Sequence, residues 1–174
     1  MLELQSLPHG RGTRWPMGTS TGTARHYFEG WCHGAAGYVQ LWTCASRVLG
    51  VPRYLALAER AAWTAWEAPP GDASLCCGYA GRAYALLRMF IHSGAQAWLM
   101  RAVELRDRAI KISRHQPQLN YSLLKGRLGL ELLSRDLLDP HSAAFPFIER
   151  NLRAASLGAA TLRHLPSPDR HAIA

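Results

Sequence analysis

Apolar residues recur at every third or fourth position along much of the chain, a spacing that predicts amphipathic helices. Residues 53–68, which read RYLALAERAAWTAWEA, place Leu55, Ala58 and Ala62 on one stripe, so their charged neighbours can face water. Residues 95–113 alternate apolar and charged positions with the same period. Short stretches of strand-forming residues, such as YVQLW, fall inside this helical periodicity. The pattern therefore predicts no strand-rich domain.

A second pattern is an internal repeat, in which a Gly-x-x-G motif opens a mostly apolar helical stretch of about three turns. The three motifs read GWCHGAAG, SLCCGYAG and SLLKGRLG. Their first glycines, Gly34, Gly78 and Gly126, lie 44 and 48 residues apart. A period of about 45 residues corresponds to two helices and two loops. The predicted fold class is all-α, built from α-hairpin repeats.

Composition narrows the class of protein. With 174 residues and 48% hydrophobic content, the chain has the size of one globular domain that buries a core. No uncharged apolar run reaches the roughly 18 residues of a membrane span, and the start MLELQSLPHGRGTRW lacks the order of a signal peptide. We therefore expect a cytoplasmic protein without a membrane partner, and a reducing compartment argues against disulfides.

The formal net charge of +8 is carried almost entirely by arginine, since Lys111 and Lys125 are the only lysines. The arginines are scattered through helical stretches, and no recognisable RNA-binding or DNA-binding motif accompanies them. We therefore expect a solvated basic surface and no nucleic-acid partner. Arg82 and Lys125 adjoin the glycine motifs, and we expect them on a solvated rim, with contact to an acidic peptide as the alternative.

Cys32, Cys76 and Cys77 carry the candidate chemistry, because each comes just before or at a predicted helix start. The free N–H groups and the dipole of a helix start lower the pKa of a thiol, and the thiolate is the form that binds zinc. Neighbouring Cys76 and Cys77 need an irregular turn to reach one ion, and Gly78 permits such a turn. Three thiolates with an open fourth position are typical of a catalytic zinc site. The competing interpretation, a small buried hydrophobe, fits Cys44 inside an apolar helical stretch.

The three glycine motifs resemble the last three glycine motifs of the lanthionine synthetase C family, the zinc-dependent cyclases of lanthipeptide biosynthesis and their LanC-like relatives. The surrounding sequence, from about residue 15 to residue 149, is most similar to LanC-like domains at the C-terminal end of bacterial kinase-cyclase fusions. This resemblance implies a six- or seven-hairpin α/α toroid, of which this chain supplies an incomplete part. It also implies zinc ligands at Cys32, Cys76 and Cys77, with Cys77 at a position where histidine is usual.

The reaction implied by the resemblance is addition of a peptide cysteine thiolate to dehydroalanine or dehydrobutyrine, which closes a thioether ring. An acid must then protonate the enolate, and the family's acid/base residues come from motifs upstream of the first one here, so the catalytic residue is unknown. His33 follows a ligand position, although an exposed loop histidine is the commoner interpretation. His9 and His26 have weaker support. Trp31 is expected to pack against the glycine turn.

The resemblance also divides the chain into three parts. Residues 1–14 form an N-terminal lead-in, and residues 15–157 form a partial LanC-like toroid domain. Residues 158–174 form a polar tail broken by prolines, which is expected to be disordered.

An incomplete ring is expected to expose apolar side chains such as Leu41, Leu86 and Leu87. The expected partners are therefore a peptide substrate and either an upstream kinase or dehydratase domain or a second chain. Two other function classes stay open. One is a non-catalytic helical-repeat interaction module with structural zinc or none, and the other is an enzyme that adds small thiols such as glutathione to dehydrated residues. A fourth protein ligand at the metal would favour the structural role.

Overall fold

The computed structural model describes residues 6–17, 26–115, 120–146 and 148–149, and its architecture is mainly helical. The helices are α1 (Ala35–Leu49), α2 (Pro52–Glu67), α3 (Tyr79–Ser93), α4 (Gln96–Arg114) and α5 (Arg127–Asp136). The all-α prediction is confirmed, while the toroid stays a prediction. Within the described ranges, no helix has both the length and the apolar character needed to cross a membrane.

The repeat produces two helical hairpins. Gly50 follows the last residue of α1 and Gly94 follows that of α3, and these glycines have φ angles of 66° and 68°, the left-handed conformation that commonly ends a helix. Pro52 then begins α2, because proline suits the first position of a helix. α1 packs against α2, and α3 packs against α4. The helices that follow a glycine motif, α1, α3 and α5, are called glycine-led helices below, and α2 and α4 are the intervening helices.

α3 lies at the centre of the helical core, and its first twelve residues are all buried. Leu86 and Leu87 are 0% and 1% exposed, so the prediction that they lie on an open apolar face is wrong. The reason is that α3 contacts α1 and α5 as well as both intervening helices. Leu41 on α1 is 42% exposed, as predicted.

A short β-hairpin near the N-terminus was not predicted. Strands β1 (Leu7–His9) and β2 (Gly12–Arg14) pair antiparallel around Gly10, whose φ angle is 54°. The hairpin packs on α2, where Thr64 Oγ1 donates a hydrogen bond to Thr13 O at 3.0 Å. Each strand has only three residues, which is too short for an alternating pattern to be recognised.

The Gly-x-x-G motifs act through close packing. The first glycines, Gly34, Gly78 and Gly126, have φ angles of −140°, −106° and −126°, so none of these three is in the left-handed region. A Cβ atom at any of the three would collide with the backbone carbonyl six residues earlier. The second glycine of each motif also faces the carbonyl six residues before it. Glycine is therefore needed because the turn folds back tightly on the start of its helix.

Arg82 is buried, so its predicted place on a solvated rim is wrong. Its side chain is 2% exposed and donates hydrogen bonds of 2.7 to 3.3 Å to four carbonyl oxygens at the C-terminal end of α2. These carbonyls belong to Ala65, Trp66, Ala68 and Pro69. Burial lowers the pKa of Arg82 to about 10, so the guanidinium stays charged at neutral pH. Arg82 therefore satisfies carbonyl groups that the end of a helix leaves unpaired.

The chain divides into two compact units, Met1–Ala143 and Ala144–Ala174. All the helices and strands named above lie in the first unit. In the described part of the second unit, the Phe145 N–H donates a hydrogen bond to Glu149 Oε2 at 2.8 Å. The predicted disordered tail, residues 158–174, lies outside the described residues.

Candidate metal centre

The sulfur atoms of Cys32, Cys76 and Cys77 lie together beside the starts of α1 and α3. Cys77 Sγ is 3.6 Å from Cys32 Sγ and 3.5 Å from Cys76 Sγ, and the three sulfurs lie within 4.8 Å of one another. Cys76 is half-buried, whereas Cys32 and Cys77 are exposed, so the cluster opens to solvent. The fold thus brings together the three residues that the sequence analysis selected as ligands.

The backbone of Cys76 connects the three glycine motifs. Its N–H donates a hydrogen bond to Leu124 O in the third motif at 2.8 Å. Its carbonyl accepts hydrogen bonds from the first motif, from the N–H groups of Trp31 at 2.9 Å and Cys32 at 3.4 Å. These backbone bonds hold the turns of the three motifs side by side, which places the Cα atoms of the cysteines close together.

Close approach of the first and second motifs depends on Gly30. A Cβ atom at this position would lie 2.7 Å from Cys77 Cα and 3.0 Å from Cys76 O, so a larger residue would push the two turns apart. Trp31 packs against the second motif, since a Cβ atom at Gly81 would lie 3.3 Å from Trp31 Cβ. The expected packing of Trp31 on a glycine turn is confirmed.

The third motif contributes Lys125, which the sequence analysis placed on a solvated rim. Its side chain is exposed, but its Nζ donates a hydrogen bond to Cys77 Sγ at 2.9 Å. The register of the repeat contained the signal, because Lys125 precedes Gly126 as Cys77 precedes Gly78. A comparison of the motifs position by position points to the residue before the first glycine, which is Lys125 in the third motif and His33 in the first.

The two adjacent thiols, Cys76 and Cys77, have different pKa values because their surroundings differ. Burial, and to a smaller extent the contacts with Cys32 and Cys77, together raise the pKa of Cys76 to about 12. Burial also raises the pKa of Cys77, but the hydrogen bonds from Lys125 and from the other two thiols outweigh burial and leave this pKa below its ordinary value. The same hydrogen bond raises the pKa of Lys125. The cluster therefore favours one thiolate beside the lysine, and ionising all three thiols requires a cation.

Zinc fits this donor set. Tetrahedral zinc with Zn–S bonds of about 2.3 Å separates two sulfur ligands by roughly 3.8 Å. The separations of 3.5 and 3.6 Å are close to that value. Metal binding would displace the thiol protons, and the charge of the ion would offset the burial and the thiol contacts that raise the pKa of Cys76. Because Cys77 is exposed and Cys32 lies at the surface beside it, a fourth coordination position can face solvent, as in catalytic zinc sites.

Cys44 and the predicted histidines lie outside the cluster. Cys44 is half-buried within α1, in keeping with a packing role. His9 belongs to β1, and the His26 carbonyl accepts a hydrogen bond from the Met17 N–H at 2.8 Å. His33 is exposed in the first motif. The described residues therefore assign no catalytic acid.

Glu29, three residues before Cys32, is a half-buried carboxyl that the sequence analysis did not select. Burial raises its pKa, against the lowering effect of the charges on His9, Arg14 and Arg82. Its Oε2 has no hydrogen-bond partner within the described part of the chain. A single glutamate in a loop is usually exposed, so the sequence carried no signal for this burial.

Two comparisons relate the chain to known proteins. The family model described as Lanthionine synthetase C-like protein matches residues 2–150. The chain is also 32% identical over 133 residues to Glutathione S-transferase LANCL1 of Danio rerio, in an alignment that covers 74% of this chain and 33% of that protein. The chain thus spans about a third of the length of this curated relative.

Proposed function

Because the chain belongs to the lanthionine synthetase C-like family, we propose that it forms the zinc-binding part of an enzyme that adds thiols to dehydrated residues of peptides. Cys32, Cys76 and Cys77 would be the protein ligands of the zinc ion. The observation that supports this proposal most strongly is the convergence of three sulfurs from two separate glycine motifs on one solvent-facing position.

The proposed reaction is a conjugate addition. When bound, zinc would supply Lewis-acid stabilisation of a substrate thiol as its thiolate. A carbon–sulfur bond forms at the β-carbon of dehydroalanine or dehydrobutyrine, the carbon–carbon double bond becomes single, and the α-carbon takes a proton. The proton lost by the thiol balances the one gained by the α-carbon, so the reaction needs no oxidant or reductant. The exposed side of Cys32 and Cys77 gives a peptide access to the reacting position.

Peptide cyclisation is the first candidate, with the thiol and the dehydrated residue in one peptide. The printed name of the Danio rerio relative, Glutathione S-transferase, favours a second candidate in which the thiol comes from glutathione. Both reactions use the same metal ligands and the same kind of electrophile. They differ in whether the thiol and the electrophile belong to one molecule, and this difference decides the products measured below.

We further propose that turnover needs a segment beyond this chain, because the chain spans about a third of its relative's length. An upstream kinase or dehydratase domain or a second chain would supply it. The proton donor is expected on that segment, and the absence of a positioned acid typically lowers a rate by about 100- to 10,000-fold. We place the reaction in the cytoplasm, where thiols stay reduced.

The metal site is tested by measuring the zinc content of the purified chain. We expect about one zinc ion per chain, lost in Cys32→Ala, Cys76→Ala and Cys77→Ala. Cys44→Ala is the matched control and is expected to keep its zinc. Cys77→His is also expected to keep zinc, because imidazole is a good zinc ligand. Full zinc content in Cys76→Ala would contradict this ligand set.

The reaction is tested with the zinc-loaded chain, a family segment containing the upstream motifs added in trans, and a dehydrated peptide that carries a free cysteine. Cyclisation leaves the peptide mass unchanged but removes the thiol that reacts with N-ethylmaleimide. Addition of glutathione instead raises the mass by one glutathione. A zinc-loaded chain that gives neither product under these conditions would favour the non-catalytic interaction module.

A further inference from the structure

We propose that Lys125 is a positioning residue of the metal centre, where its ammonium group donates a hydrogen bond to the Cys77 sulfur and offsets part of the negative charge of three thiolates. This inference rests on the proposed metal site. It goes beyond the cysteine ligands because it assigns a function to the third glycine motif, which contains no cysteine.

The backbone holds Lys125 in place beside the cluster. The Lys125 N–H donates a hydrogen bond to Ser122 Oγ at 3.3 Å, as the Cys77 N–H does to Ser74 Oγ at 3.4 Å. The bond from the Cys76 N–H to the carbonyl just before Lys125 fixes the third motif against the second at 2.8 Å. Lys125 therefore occupies the same position in the third turn as Cys77 occupies in the second.

The contact is short and well suited to a charge-assisted hydrogen bond. Lys125 Nζ lies 2.9 Å from Cys77 Sγ, and the rest of the side chain is exposed. An ammonium group has three donors, so one can bind the sulfur while the others stay hydrated. An exposed lysine keeps such a contact only if the attraction offsets the loss of side-chain freedom, and a thiolate provides that attraction.

The charge balance of a three-thiolate site explains why a cation is useful there. Three thiolates and one divalent ion carry a net charge of about −1, and a bound substrate thiolate makes it about −2. Lys125 removes one negative unit from this total. A hydrogen bond to a ligand sulfur also withdraws electron density from it, so the metal keeps more of its Lewis acidity.

The inference predicts that Lys125 affects the metal itself, which an ordinary surface lysine does not. Removal of a group that orients a metal ligand typically lowers metal affinity by about 10- to 100-fold. Lys125→Met should therefore bind zinc about 10-fold or more weakly. Lys125→Arg keeps the charge and a donor, so it should recover most of the affinity.

The experiment measures zinc affinity of the full chain by competition with a chromophoric chelator, together with the thiolate-to-metal charge-transfer band of the cobalt-loaded protein. Lys111→Met is the matched control, because Lys111 is an exposed lysine on α4. Expected results are weaker zinc binding and a shifted band for Lys125→Met, recovery in Lys125→Arg, and wild-type values for Lys111→Met. A thermal unfolding curve establishes that each variant is folded.

Two results would overturn the inference, and they are distinguishable. If the wild type binds zinc and Lys125→Met has the same affinity and the same cobalt band, Lys125 has no role at the metal and the proposed site is unaffected. If the wild type binds neither zinc nor cobalt, the metal site and the inference fail together.

Discussion

The second and third glycine motifs fold alike but carry different chemistry. In the second, the Ser74 N–H donates a hydrogen bond to Asp72 Oδ1 at 2.7 Å, and in the third the Ser122 N–H donates one to Asn120 Oδ1 at 3.1 Å. Between this serine and the first glycine, however, the second motif has Leu-Cys-Cys and the third has Leu-Leu-Lys. An Asx residue, a serine and two glycines thus set the turn, and the two residues before the first glycine set the chemistry.

The two repeats also differ in how firmly they are enclosed. α3 has fifteen residues and is buried along most of its length, whereas α5 has ten residues and buries Gly129, Leu130 and Leu133. Leu128 on α5 is 40% exposed. The second repeat, which supplies Cys76 and Cys77, is therefore more deeply buried than the third repeat, which supplies Lys125. Equivalent changes should cost more stability in the second repeat than in the third.

Gly81→Ala should have the largest effect on stability. The new Cβ atom would collide with Leu75 O and lie 3.3 Å from Trp31 Cβ, so the turn or the helix must move. We expect the free energy of unfolding to fall by about 3 kcal/mol or more, measured by urea denaturation. Gly94→Ala is the control, since open space surrounds Gly94 and only its φ angle of 68° opposes alanine. That variant should lose about 1 kcal/mol.

Gly129→Ala is the equivalent change in the third repeat, and its stability loss can be compared directly with that of Gly81→Ala. Its Cβ atom would collide with Leu123 O and lie 2.7 Å from Leu75 Cβ. Because one side of α5 is exposed, the helix can shift outward, and we expect a smaller loss than for Gly81→Ala. A larger loss for Gly129→Ala in the same urea titration would break the proposed ranking of the two repeats.

Arg82→Met and Arg127→Met form the second matched pair. Arg82 satisfies four carbonyls at the end of α2, whereas Arg127 donates one bond of 3.3 Å to Ser113 O in α4. Loss of the buried guanidinium leaves carbonyls unpaired, so we expect Arg82→Met to lower the free energy of unfolding by about 2 to 3 kcal/mol. Arg127→Met should lose about 1 kcal/mol or less. Equal losses of unfolding free energy in the two variants, measured by urea denaturation, would contradict the larger role assigned to Arg82.

The period of apolar residues and the glycine motifs were sufficient to predict the helices and the meeting of the three thiols. The repeat places Cys32 and Cys76 at matching positions, so a shared site follows once the turns are stacked side by side. Contacts between elements were not predictable in this way. The place of Arg82 depends on where α2 ends, and the burial of Leu86 and Leu87 depends on the four helices packed around α3. Neither is encoded locally in α3.

Tyr84→Phe tests the connection between the two repeats. The Tyr84 hydroxyl on α3 donates a hydrogen bond to Asp136 Oδ2 on α5 at 2.9 Å. Removing the hydroxyl should lower the free energy of unfolding by about 1 kcal/mol, measured by urea denaturation. Tyr121→Phe is the control, because Tyr121 is 78% exposed, and it should leave stability unchanged. Unchanged stability in Tyr84→Phe would mean that this hydrogen bond adds nothing to the stability of the contact between α3 and α5.

The C-terminal end of α3 has no counterpart in the third repeat. α3 extends to Ser93 and places His92 in its last turn, whereas α5 ends at Asp136, ten residues after Gly126. Burial lowers the pKa of His92, and the charges of Arg88 and Arg47 lower it further, while a backbone hydrogen bond with Thr43 opposes them. The longer helix therefore contains a half-buried titratable group, His92, that the third repeat lacks.

His92 should give the smallest effect, seen as a pH dependence of stability. The unfolded chain takes up a proton on this residue near the ordinary pKa of about 6.5, whereas the folded chain does so only at lower pH. This contribution to stability is complete above about pH 6.5 and is lost as the pH falls through the lower pKa of the folded chain. Gln cannot take up that proton, so between about pH 7.5 and pH 5.5 the urea midpoint of His92→Gln should fall less than that of the wild type. An equal fall in both proteins would mean that His92 charges as readily in the folded chain as in the unfolded one, so its partial burial would carry no electrostatic cost.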